Sequence, residues 1–376
     1  MTAKITRFLE EVRPVTPCVV VDLDVVRDNY LGLRRWLPLA DVYYAVKANP
    51  APEIVRMLAA LGSNFDVASR GEIDLCLANG VFAENISFGN TIKKQRDIAY
   101  AYEKGVRLYA FDCEAELEKL AESAPGARVF CRILMTCDGA EWPLSRKFGC
   151  EIDMARDLLV RARDLGLDPY GVSFHVGSQQ TDLNQWDIAV GKAAMLFTAL
   201  DSAGIDLRMV NLGGGFPARY RSDIPAVERY ADAVMSAMTN HFGNNIPAMI
   251  IEPGRSLVGD AGILETEVVL ISRKGYDDDT RWVYLDVGKF GGLAETMDEA
   301  IKYRIQTSRD GDDTAPVVLA GPTCDSADIL YEKSNYEMPV SLKVGDKVRI
   351  LSTGAYTTSY SAVNFNGFDP LKAYFI

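Results

Sequence analysis

A lysine that ends an apolar stretch is the first residue here whose placement suggests chemistry. Tyr43-Tyr44-Ala45-Val46-Lys47-Ala48-Asn49-Pro50 reads as a short buried strand, aromatic and β-branched, closing on Lys47. Burying an ammonium costs several kcal/mol or drives its pKa down. A lowered pKa is what an amine nucleophile or Schiff-base former needs. Taken alone, the stretch fits a lysine snorkelling to the surface better, so other residues decide.

Polar and special residues close most of the other apolar runs: Asp66, Asn90, Asp112, Arg132, His175, Gly213-Gly214-Gly215 and Glu252. Asn90 and Asp112 are what any strand-to-loop transition would show. Three consecutive glycines after Val210-Asn211-Leu212 let backbone N–H groups approach a phosphate closely. Arg255, following Gly254, could clamp the same anion. A reactive lysine, a phosphate cradle and the carboxylate Glu252 together fit pyridoxal phosphate. The lysine forms the Schiff base, and a carboxylate keeps the pyridine nitrogen protonated so that the ring draws electrons. His175 is then placed to stack on that ring. His241, at a helix end before Gly243, reads as structural.

These residues need elements to hold them. Eight apolar runs recur with helical segments between them: Val42–Val46, Asn64–Ala68, Ile86–Phe88, Leu108–Phe111, Arg128–Leu134, Gly171–Val176, Met209–Leu212 and Met249–Ile251. Several helices stop at a glycine (Gly62, Gly80, Gly105, Gly166, Gly204, Gly243), the residue that accepts a left-handed close. This rhythm predicts an α/β fold, an eight-stranded parallel (β/α) barrel, with its chemistry at the C-terminal strand ends. An open doubly wound sheet competes, weakened by the absence of GxGxxG after the first strand. After Gly254 the texture turns β-rich: Gly262–Ser272, Arg281–Asp286, Val317–Gly321, Val340–Leu342, Lys347–Leu351 and Lys372–Phe375 read as strands. The predicted division is a barrel over 23–258 and a mainly β domain from 1–22 plus 259–376. The strand near Val19–Val21 could pair with that second domain.

The 376 residues, 48% hydrophobic, suffice for such a core. A net charge of −12 argues against nucleic acid and favours a cationic small molecule. Seven scattered cysteines with no CxxC suggest reduced thiols, and two histidines exclude a His-rich metal site. No run approaches the ~18 apolar residues of a membrane span, so the chain reads as cytoplasmic.

Seven motifs, in order along the whole chain, resemble the fold-type III decarboxylases of basic amino acids, whose fold is alanine racemase-like. They are Tyr44-Ala45-Val46-Lys47-Ala48-Asn49, Phe65-Asp66-Val67-Ala68-Ser69, Phe174-His175-Val176-Gly177-Ser178, Gly213-Gly214-Gly215-Phe216-Pro217, Glu252-Pro253-Gly254-Arg255, Gly321-Pro322-Thr323-Cys324-Asp325 and Gly354-Ala355-Tyr356-Thr357. The resemblance is strongest to bacterial ornithine and dual lysine/ornithine decarboxylases. It implies decarboxylation of ornithine to putrescine, and of lysine to cadaverine, in polyamine biosynthesis. It implies Lys47 as the Schiff-base lysine, Glu252 at the pyridine nitrogen and His175 on the ring face. Ser178, Gly215, Gly254, Arg255 and Tyr356 would hold phosphate, and Asp66 and Arg132 would support the pocket. Cys324 would protonate the substrate carbon after carbon dioxide leaves, with Asp325 by the substrate. The family forms head-to-tail homodimers with shared active sites, so Cys324 would act in trans.

A distal ammonium needs acidic partners. Asp325 is one; Glu295, Asp298 and Glu299, in a helical turn, are others, and that turn reads equally as a solvated acidic face. Diaminopimelate decarboxylase is the nearest rival. It resembles this chain at the lysine, histidine, triple-glycine and Glu-Pro-Gly-Arg motifs, but its substrate carries a distal carboxylate. Carboxynorspermidine decarboxylase is a more distant rival, and a non-catalytic binding paralogue is another. Thr136–Gly149 is long enough for a lid.

Overall fold

The computed structural model describes residues 1–136, 138–142 and 147–376. The chain divides into two compact units. One comprises Met1–Val26, Ala218–Asp223 and Arg255–Ile376, the other Arg27–Pro217 and Ile224–Gly254.

The second unit is a closed barrel of eight parallel strands: Ala40–Ala45, Asn64–Val67, Ile86–Phe88, Leu108–Phe111, Arg128–Arg132, Asp168–Ser173, Met209–Asn211 and Ala248–Ile251. The last strand closes on the first, Met249 opposite Ala40 and Ile251 opposite Val42. Leu108, Ala110, Phe130, Met209 and Ile250 form one buried cluster, with Tyr43 and Tyr170 packed on it. Such inward, bulky layers make a barrel interior a packed core. The six glycines expected at helix ends all have positive φ, between 60° and 101°, where a Cβ would be strained.

Several strands stop earlier than their apolar runs. The first ends at Ala45, and Val46–Ala48 forms a 3-10 turn that carries Lys47. His175 and Leu212 likewise lie beyond their strands. A run stays apolar past the last ladder bond because the loop start is itself buried, which hydrophobicity alone does not separate from a strand.

The other unit holds an eight-stranded sheet. Cys18–Val21 lies between Gly262–Ser272, antiparallel, and Lys372–Phe375, parallel. Val340–Leu342 is not a strand. The strand there is Ile329–Pro339, which the sequence reading missed because its outer face is polar (Glu332, Lys333, Asn335, Glu337) and it offers no apolar run. Ile305–Thr307, pairing with Lys347–Leu351, was also missed. Among the described residues no helix is long and apolar enough to cross a membrane, and no cluster of three or more His, Cys, Asp or Glu could hold a metal ion.

Lys93 is buried in the barrel unit without facing its chemistry. Its Nζ donates to the Asn90 and Ala110 carbonyls at 2.7 and 2.6 Å and lies 3.0 Å from Glu116. Burial outweighs the Glu116 charge and lowers its pKa to about 8. The unfolded chain holds that proton up to the ordinary value of 10.5, so the contribution of Lys93 to stability rises with pH between about 8 and 10.5. Denaturant unfolding of wild type and Lys93→Met across that window is expected to show the wild type gaining on the variant, in which Lys119 still pairs with Glu116. A difference that stays flat with pH would contradict the burial of this charge.

Candidate active site

Lys47 reaches from its 3-10 turn toward Asp66, with Nζ 4.0 Å from Oδ2. The turn is shaped by the Tyr44 hydroxyl, which donates to the Asn49 carbonyl at 2.9 Å. Gly254 packs against it where a Cβ would lie 2.8 Å from the Ala48 methyl. The Lys47 side chain is 51% exposed, so the desolvation expected of a strand-end lysine is absent. Its setting is a charge partner instead: Asp66 is buried, with Oδ1 accepting no hydrogen bond. Burial, and then the neighbouring Glu252 charge, push the Asp66 carboxyl well above its usual range, while Lys47 and Arg132 pull it back. Gly89 is glycine because this carboxylate occupies the place of its side chain.

Glu252 follows the last barrel strand and accepts a short hydrogen bond from the Asn211 amide. Asn211 in turn accepts from the Gly213 N–H at 2.9 Å. The three glycines are crowded by backbone. A Cβ on Gly214 would sit 2.8 Å from the Glu252 carbonyl, and one on Gly215 would sit 2.7 Å from the Gly177 carbonyl. The triple glycine is therefore demanded by packing as well as suited to an anion.

His175 lies over this segment, its Nε2 3.3 Å from where a Gly214 Cβ would be. Its Nδ1 accepts the Gly177 N–H at 3.0 Å, which assigns the ring proton to Nε2. Burial first, and then the Arg132 and Lys47 charges, hold its pKa well below 6.5. His175 is thus a neutral ring, fitted to face an aromatic plane rather than to pair with an anion. The Arg132 guanidinium stands 5.1 Å from the Phe148 ring. Ser178 opens a strand, Ser178–Gln180, that pairs with Ala140–Trp142. Part of the segment considered as a lid is therefore this ribbon; residues 137 and 143–146 lie outside the described residues.

In the β-rich unit Arg255 is buried and fork-paired. Nη1 donates to Glu295 Oε2 at 2.7 Å and to the Tyr220 hydroxyl at 2.6 Å, and Nη2 donates to Glu295 Oε1. Its guanidinium lies 4.9 Å from the Tyr356 ring. This takes Glu295 out of the acidic set expected to meet a distal ammonium. The expected helical turn is broken as well: Met297 and Asp298 have non-helical φ/ψ, Asp298 at φ 52°. Glu299 accepts the Glu332 and Lys333 N–H groups, each at 2.8 Å, and the Ser334 hydroxyl. Burial would raise its pKa, but these hydrogen bonds outweigh burial and lower it. Asp298 and Asp325 remain exposed, as does Cys324.

A profile described as "Pyridoxal-dependent decarboxylase, pyridoxal binding domain" matches residues 23–259. The chain belongs to this family. The lysine/ornithine decarboxylase of Selenomonas ruminantium is 38% identical over 355 residues, spanning 94% of this chain and 88% of that protein. The crystal structure of a Vibrio vulnificus lysine/ornithine decarboxylase complexed with cadaverine superposes with a TM-score of 0.89 at 29% identity, covering 100% of this chain and 99% of that one. Antizyme inhibitor 2 of Xenopus laevis is 35% identical over 363 residues, 93% of this chain and 78% of the relative.

Pyridoxal phosphate is the cofactor of this decarboxylase, and the barrel residues suit it. A buried Asp66 oxygen lacks a partner, the backbone is pared to glycine beside Glu252, and a neutral imidazole lies over that backbone. Two contributors escaped the sequence reading. Asn211, a fully buried amide inside an apolar strand just before three glycines, was the available signal. Glu72 caps its helix through Ser69-Arg70-Gly71-Glu72, with Oε2 accepting the Ala68 N–H at 2.6 Å. Burial raises its pKa and the Lys47 charge opposes that rise.

Replacing His241 by Gln leaves His175 as the chain's single imidazole. Its ring resonances are then expected to stay unchanged between about pH 6 and 8. A titration midpoint at or above 6.5 would show that burial does not govern this ring.

Proposed function

We propose that the chain decarboxylates L-ornithine to putrescine and L-lysine to cadaverine, supplying polyamine biosynthesis from the cytoplasm. The observation that carries the substrate class is the division of labour among its carboxylates. Glu295 and Glu299 are committed to Arg255 and to backbone donors, while Asp298 and Asp325 are exposed with no ion-pair partner among the described residues. Such carboxylates suit a distal ammonium and would repel the distal carboxylate of diaminopimelate. Relatives named for lysine and ornithine agree with this, and the free thiols among the described cysteines suit a reducing compartment. Lys47 and Cys324, which a purely binding paralogue would not need, are both present.

Bound pyridoxal phosphate supplies the electron sink that lets the substrate lose carbon dioxide. The protein's own groups do the rest. Lys47 Nζ would hold the cofactor, and the Glu252 carboxylate would keep a proton on the pyridine nitrogen. His175 would pack its neutral ring on the cofactor face, with Asp66 and Arg132 supporting the pocket. The N–H groups of Gly214, Gly215 and Gly254 and the Ser178 hydroxyl would take the phosphate, the Gly213 N–H being held by Asn211, and the resemblance assigns Arg255 and Tyr356 to it as well. Cys324 Sγ delivers the proton to the substrate α-carbon. In this reading 23–258 is the cofactor domain. Residues 1–22 with 259–376 provide the cysteine segment and the contacts of a head-to-tail homodimer, in which Cys324 of the partner subunit completes each site.

Ornithine, lysine, arginine and diaminopimelate assayed in parallel are expected to give turnover of the first two; preferential turnover of diaminopimelate would overturn the proposal. Asp298→Ala and Asp325→Ala are each expected to raise KM for ornithine about tenfold to a hundredfold, the effect of losing a hydrogen bond to a charged group worth ~1.5–3 kcal/mol. Lys47→Ala should abolish the visible absorbance of lysine-bound cofactor. Mixed Lys47→Ala and Cys324→Ala chains should regain activity through hybrid dimers; no recovery on mixing rejects the shared site.

A further inference from the structure

Cys324 sits in an eight-residue connection, 321–328, between the strands Thr314–Ala320 and Ile329–Pro339. The Gly321 N–H closes its base on the Asp328 carbonyl at 2.8 Å, and the Asp328 N–H bonds the Asp325 carbonyl at 3.0 Å. Asp328 is 3% exposed, and the groups that hydrogen-bond its carboxylate all donate to it. Oδ1 accepts the Lys289 N–H at 2.8 Å, and Oδ2 accepts the Thr323 N–H at 3.2 Å and the Thr323 hydroxyl at 2.7 Å. Gly288 and Gly321 leave the space that this carboxylate fills. Beyond Thr323, the Cys324 N–H is fixed by the Asn366 side chain at 2.9 Å. The main chain at Cys324 is thus pinned on both sides while the thiol itself stays exposed.

We propose that Asp328 is a positioning residue for the Cys324 thiol: by gathering the Lys289 and Thr323 donors it sets the direction from which the proton reaches the substrate carbon. This rests on the reading of Cys324 as proton donor. A connection of this length can bury little apolar area, so its conformation depends on these polar anchors. The groups that hydrogen-bond the carboxylate all donate to it, so an amide there would turn its own N–H₂ toward them and the loop would shift.

Product partition tests this. Once carbon dioxide has left, the electron pair can take its proton at the substrate carbon, giving the diamine. It can instead take it at the cofactor's aldehyde-derived carbon. Hydrolysis by one water then gives an amino aldehyde and pyridoxamine phosphate, and activity fades until fresh pyridoxal phosphate is added. Wild type, Asp328→Asn, Thr323→Val and Cys324→Ala holoenzymes would be compared for aldehyde per amine released from ornithine. Thermal midpoints and the rate of Cys324 alkylation by iodoacetamide in cofactor-free protein would be measured alongside.

Asp328→Asn is expected to raise the aldehyde fraction about tenfold to a hundredfold, the scale set by a reacting group displaced by ~1 Å, and to change the alkylation rate. A folded Asp328→Asn enzyme with wild-type partition and alkylation overturns the proposal, whatever its thermal midpoint. If that variant does not fold, Thr323→Val decides on the same two readouts. A raised aldehyde fraction in Cys324→Ala with none in the Asp328 and Thr323 variants rejects positioning alone. An unchanged fraction in Cys324→Ala rejects the donor role beneath it.

Discussion

Asn211 has no exposure to water, and both polar atoms of its amide are taken up by neighbours: the oxygen by the Gly213 N–H, the nitrogen by the Glu252 carboxylate. Rotating that amide would strand the buried Gly213 N–H, at about 1–3 kcal/mol, and turn its oxygen toward the half-buried Glu252 carboxylate. One side chain therefore fixes the first glycine of the cradle and the direction of the acid after the next strand. What surrounds it follows. Burial pushes the Asp66 carboxyl up, the charge of the held Glu252 adds to that push, and Lys47 and Arg132 oppose it. The same two cations help keep His175 neutral. The barrel's chemistry is a small set of charges whose balance depends on one amide that cannot turn.

The barrel was legible because its signals are local and repeated. Apolar runs at βα spacing and glycines at helix ends need no knowledge of distant partners, and all six glycines adopt the left-handed backbone that their positions required. Lys47 stood out by its place at the end of an apolar run, but the burial that a reactive lysine there would have is not what surrounds it. Ending the strand at Ala45 rather than Val46 moves the lysine into a turn and leaves half of its side chain in water. A one-residue change in strand end alters solvation more than it alters sequence pattern. Ile329–Pro339 was invisible for the opposite reason: a strand with a wetted face alternates charges into its pattern and leaves no run to notice.

Pairings across long sequence separations were beyond any local pattern. Arg255 and Glu295 are 40 residues apart, and neither shows in its own neighbourhood that the other will be its partner. Before that pairing is known, Glu295, Asp298 and Glu299 are three equivalent acids in six residues. Afterwards they have three fates: a buried fork partner, an exposed carboxylate at a kink, and an acceptor for backbone N–H groups of the Ile329–Pro339 strand.

Those fates explain how a chain with a net charge of −12 can be acidic without offering every acid to a cationic substrate. A carboxylate accepts and never donates while ionised, so it suits places where several backbone N–H groups converge with no carbonyl to meet them. Glu299 and Asp328 occupy such places, each holding three donors, and their charge is absorbed in fixing loops. Packing cannot fix those loops, because polar connections over a sheet bury too little apolar surface to define one conformation. Asp298 and Asp325 stay exposed on segments that the committed ones hold in place, Asp325 with one oxygen accepting the Ala327 N–H at 2.8 Å. Availability to a ligand therefore depends on how many of a carboxylate's oxygens the backbone and its ion-pair partners have already used.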